Sequence, residues 1–69
     1  MNILVVDDEE LLQDVLGMLL RKEGHRPIFA RTGEEALLAV DREPIDLVLL
    51  DVMLPGLTGM EVLRQIRLR

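Results

Sequence analysis

Two stretches of the chain, ILVVDDEE at residues 3–10 and DLVLLD at residues 46–51, run through apolar side chains without a polar break and then stop in carboxylates. A strand with one wet face alternates apolar and polar residues. Unbroken apolar runs instead read as strands covered on both faces, as in a parallel sheet with helices above and below. The segments between them have helical spacing. Residues 9–23 carry Leu12, Val15, Leu16 and Leu19 at i, i+3, i+4 and i+7, the stripe of a helix expected to lie in the core. Gly24 is a natural stop after Arg21 and Lys22, cations suited to the negative end of a helix dipole. Residues 26–30 (RPIFA) form a second, weaker strand. Thr32 and Glu35 have the spacing of a capping box, opening a helix that Pro44 ends, and a third helix begins at residue 60. Strands joined by helices predict a parallel α/β sheet with right-handed crossovers.

Such a sheet has an edge problem. The segment with Arg26 and Pro27 belongs at an edge, since proline cannot donate to a central ladder. With three strands only one place is central, so one of the two fully apolar strands must be the other edge and leave apolar surface uncovered. The expectation is that more chain or a partner covers it. Sixty-nine residues without cysteine allow one small domain with no disulfide, suited to a reducing, cytoplasmic setting. A composition 49% hydrophobic and 30% charged belongs to a folded chain. A net charge of −5 argues against a nucleic-acid backbone or an anionic membrane as partner. The basic residues are dispersed and Phe29 is the sole aromatic, so no direct nucleic-acid contact is expected from this segment. No apolar run approaches the roughly 18 residues of a membrane span.

In open α/β sheets, ligands bind in the crevice outside the carboxyl ends of the strands. If the first and third strands are neighbours, Asp7, Asp8 and Asp51 meet there, and so many carboxylates in one place call for a cation. Oxygen donors without His or Cys point to a hard ion, Mg²⁺ above all. Capping and the helix dipole account for Glu9 and Glu10 but not for the matching acid after the third strand. The single His25 reads as a solvated turn residue and not as a ligand. Pro55 stiffens the loop after the third strand. Gly56 and Gly59 are each expected to supply positive φ there, with Gly59 letting the last helix start close to the sheet.

Taken together, ILVVDDEE, TGEEAL and DLVLLDVMLPGLTGMEVLRQIR, in that order and spacing, resemble the receiver domain of bacterial two-component response regulators over the whole chain. The resemblance implies a flavodoxin-like sheet of strand order 2-1-3, here as β-α-β-α-β-α. It makes Asp51 the phosphoacceptor and Asp7 and Asp8 the acidic pair holding Mg²⁺, with the backbone carbonyl of Met53 completing the metal site. It also implies a sensor histidine kinase as partner, and a protein that takes part in its own phosphotransfer without being a turnover enzyme. A complete receiver continues through two more strands, with a Ser or Thr after the fourth and a Lys after the fifth. Residues 1–69 are therefore expected to be an amino-terminal part, binding Mg²⁺ weakly and accepting phosphate slowly. A haloacid-dehalogenase-type phosphohydrolase also puts a nucleophilic Asp after an apolar strand, but it needs an acid two residues on, where this chain has Met53. The remaining alternative is a structural half-domain that pairs its exposed third strand with a copy or a complementary half.

Overall fold

A computed structural model describes residues 1–51 and 56–68. The elements run β1 (Asn2–Val6), α1 (Glu10–Lys22), β2 (Arg26–Ala30), α2 (Gly33–Arg42), β3 (Leu47–Leu50) and α3 (Gly59–Arg67). The strands form one parallel sheet in the order β2-β1-β3. The expected strand order therefore holds, with the proline-bearing strand at one edge and apolar β3 at the other. Among the described residues no helix is long and apolar enough to cross a membrane.

The centre of the sheet is buried on both faces. Ile3, Leu4, Val5 and Val6 are each at most 2% exposed, which at about 2 kcal/mol per large apolar side chain makes β1 the main source of burial energy. Leu4 and Val6 point to one face and join Ala30 of β2, Ala36 of α2 and Val62 of α3 in the core. Ile3 and Val5 point to the other face, which α1 covers.

Here the structure corrects the expectation for α1. Its inward residues are Gln13 and Gly17, while Leu12, Val15 and Leu19 are 38%, 45% and 55% exposed. The helix sits close over β2, where a Cβ on Gly17 would lie 2.8 Å from the Phe29 ring, and Arg21 lies 5.9 Å from the centre of that ring. Only a narrow residue fits that approach, so Gln13 and Gly17 face the sheet, Leu16 is half-buried, and the rest of the stripe turns away. Leu47 and Leu49 of β3, which share a face with Ile3 and Val5, are uncovered as well, at 44% and 37% exposed.

Helix ends follow local chemistry. The Thr32 hydroxyl accepts the Glu35 N–H at 3.1 Å, and the Thr58 hydroxyl accepts that of Glu61 at 3.2 Å. In α3, Arg64 donates to both Glu61 oxygens at 2.7 and 2.8 Å, and that hydrogen bonding holds the Glu61 carboxyl below its usual range. Helix α1 ends in a Schellman turn: Gly24 N–H donates to Arg21 O at 3.0 Å and His25 N–H to Leu20 O at 2.9 Å, with Gly24 at φ +84°. His25 is half-buried in that turn, its Nδ1 3.0 Å from the Met1 amino group, at the opposite end of the strands from the acids. An added Cβ at Gly24 would meet nothing within 4 Å, so only backbone strain opposes a side chain there. Gly24→Ala should therefore lower stability by about 1 kcal/mol in urea unfolding followed by circular dichroism; an unchanged midpoint would contradict the left-handed turn.

Candidate metal centre

The sheet register builds the site. Val6 is opposite Ala30 on one side and Leu50 on the other, so the chain leaves β1 and β3 side by side with an acid next on each. Asp7 N–H extends the ladder to Ala30 O at 3.0 Å, and Asp51 N–H to Val6 O at 3.0 Å. One carboxylate oxygen each from Asp7, Asp8 and Asp51 lies within 4.8 Å of the others. Asp7 and Asp51 are half-buried and Asp8 is exposed. They border an open pocket of ≈ 440 Å³ whose other wall includes Leu12, Leu16 and Leu49.

The donor set suits a hard divalent cation. Oxygens around octahedral Mg²⁺ lie about 2.1 Å from the ion and so about 3 to 4 Å from one another. The acids are already within about an ångström of that spacing, a gap that side-chain rotation closes, and one cation would relieve the repulsion among the carboxylates.

Asp7 is held at three of its polar groups. Besides its N–H, its Oδ1 accepts the Glu9 N–H at 2.8 Å, and its backbone carbonyl accepts Gln13 Nε2 at 2.7 Å. The same Nε2 donates to Ala30 O at 3.1 Å. Sequence reasoning missed Gln13. The signal was present, since Gln13, Gly17 and Leu20 share a helix face by i, i+4 and i+7 spacing, but that face has no apolar stripe to draw the eye. Glu9 stands at the N-cap of α1 without a side-chain cap bond, and Glu10 lies in its first turn, as the dipole reading expects.

Of the remaining expected residues, Met53 and Pro55 lie outside the described residues. Gly56 has φ +76°, as expected, but Gly59 does not have positive φ. It is the buried first residue of α3. The turn needs a left-handed residue only at Gly56, and at Gly59 the helix has already begun.

Comparison with known proteins places these observations in a family. The profile described as the response regulator receiver domain matches residues 3–69. Sensory transduction protein RegX3 of Mycobacterium tuberculosis is 48% identical over 68 residues, 99% of this chain and 30% of that protein. The chain thus spans about a third of the curated relatives it matches. Among solved structures, Thermotoga maritima response regulator TrrA in complex with Mg²⁺–BeF is 44% identical with a TM-score of 0.91, over 96% of this chain and 57% of that one. A complex of histidine kinase ThkA with TrrA gives 43% identity and a TM-score of 0.93, over 99% of this chain and 59% of the matched one.

Removing one acid tests the electrostatics of the cluster. In metal-free buffer at low ionic strength, Asp8→Asn should raise the urea midpoint, and the gain should shrink once salt shortens screening below the roughly 10 Å found at 0.1 M. A midpoint that is unchanged at low salt would mean the acids do not strain the fold.

Proposed function

The chain belongs to the response regulator receiver family, and on that footing we propose that Asp51 accepts a phosphoryl group from the phosphohistidine of a sensor kinase. The site would hold Mg²⁺ through Asp7, Asp8, Asp51 and the backbone carbonyl of Met53. The observation that carries this reading is the convergence of the three acids at the carboxyl ends of two adjacent parallel strands. An Asp51 oxygen attacks phosphorus, forming the O–P bond as the P–N bond breaks; the imidazole nitrogen keeps the electron pair, and the product on Asp51 is an acyl phosphate. Mg²⁺, when bound, supplies neutralising charge for the phosphoryl oxygens. Asp7, held at its N–H, carbonyl and Oδ1, keeps its carboxylate beside the other two acids. The TrrA complexes with Mg²⁺–BeF and with a histidine kinase support both the metal and the kind of partner. In this reading residues 1–69 form the amino-terminal part of a cytoplasmic receiver that is modified and does not turn over.

In ¹H–¹⁵N NMR, Mg²⁺ should shift the amides of Asp7, Asp8, Asp51 and Met53. Incubation with a small acyl phosphate and Mg²⁺ should add one phosphoryl group by intact mass, more slowly than for complete receivers, and Asp51→Asn should abolish the addition. Phosphorylation that survives Asp51→Asn would overturn the assignment.

A second reading rests on a different observation. Among the described residues, strand β3 is hydrogen-bonded to β1 alone, and grooves flank it on both sides, by Leu12, Leu16 and Leu49 on one face and by Val40, Leu63 and Ile66 on the other. An open apolar edge is a template for strand pairing, so the chain would self-associate through β3. Sedimentation from low to high micromolar should show a rising average mass; a monomer throughout would sink this reading.

A further inference from the structure

We infer that Gln13 is a positioning residue for the acidic cluster, holding the backbone of Asp7 so that its carboxylate stays within reach of a shared cation. The inference rests on the metal site proposed above. Gln13 is 8% exposed and is the one buried polar side chain among the described residues. Burying an amide is costly unless its donors are used. Here Nε2 has two N–H groups, and both find carbonyls: Asp7 O at 2.7 Å and Ala30 O at 3.1 Å. Those carbonyls sit where the β1–β2 ladder ends, beside its last bond from Asp7 N–H to Ala30 O. The side chain thus clamps the ends of two strands together beneath the loop that carries the acids.

Position matters because the acids repel one another. A loosely held loop would relax by spreading them, and a cation would then have to gather them again at a cost in affinity. Gln13 opposes that spreading from below, as the Glu9 N–H does from the side through Asp7 Oδ1 at 2.8 Å. Outer-shell groups that orient metal ligands act in this way.

The test uses Gln13→Met, close in size but without donors, in the 69-residue chain, with two readouts. The Mg²⁺ Kd from NMR titration should rise about tenfold, the lower end for loss of an outer-shell partner. Without metal, exchange of the Asp7 and Glu9 amides should accelerate while amides within α2 keep their protection. Gln13→Lys, which retains N–H donors, should keep those two amides slow. A purely structural role predicts uniform acceleration of all amides with Kd unchanged, and that result would overturn the proposal, as would unchanged Asp7 and Glu9 exchange. If Gln13→Met does not fold, Gln13→Leu serves as the second donor-free variant. Loss of folding in both would assign Gln13 to the fold and overturn the proposal. If the unaltered chain binds no Mg²⁺, the metal reading falls by itself, and the exchange result alone decides whether Gln13 positions the loop.

Discussion

The register that pairs Val6 with both Ala30 and Leu50 is the constraint on which the rest of the structure depends. Because side chains alternate along a strand, sliding β3 by one residue would exchange its two faces and carry Asp51 about 3.3 Å along the sheet. Val48 and Leu50 would leave the core they share with Leu4 and Val6, and the acids would no longer stand side by side. Core and site are thus specified by the same pairing. The burial that makes β1 the centre of the sheet also delivers two carboxylates to one end of it.

The two faces of the sheet are unequally finished. One is closed by Ala36 and Val62 from α2 and α3. On the other, α1 covers β1 and β2 but leaves Leu47 and Leu49 open, with Leu12 and Leu16 across the gap. That gap runs into the acidic cluster, which shares its walls. Anything seated in it would also remove water from one side of the carboxylates, and charge interactions strengthen as the surroundings become less polar. Covering the apolar groove and strengthening the cation site are therefore physically linked.

Much of the architecture was legible in the residues. Pro27 marked the edge strand and the unbroken runs marked strands with two apolar faces. Gly24 and Thr32 placed helix ends where the Schellman turn and the hydroxyl cap now stand. The acids were legible for a simple reason: a strand that ends in carboxylates must carry them to the end of the sheet. The rotation of α1 was not. Periodicity says which residues share a face but not which face meets the sheet, and the close approach of Gly17 to Phe29 outweighed the leucine stripe. Gly59 was misassigned because a glycine directly after a threonine reads as part of the turn, whereas Thr58 already caps the helix that Gly59 begins.

By itself the sequence determined the alternation of strands and helices, the edge position of β2 and the placing of Asp7, Asp8 and Asp51 at the ends of strands. Each follows from local chemistry: the missing proline donor, the unbroken apolar runs, the acids that end them. Only the tertiary structure decided that α1 turns Gln13 and Gly17 inward, that Leu12 and Leu19 of α1 and Leu47 and Leu49 of β3 remain open, and that the Gln13 amide ties Asp7 to Ala30. Those outcomes depend on how closely a helix can approach a particular ring and on carbonyls brought together from separate strands, distances that no local pattern encodes.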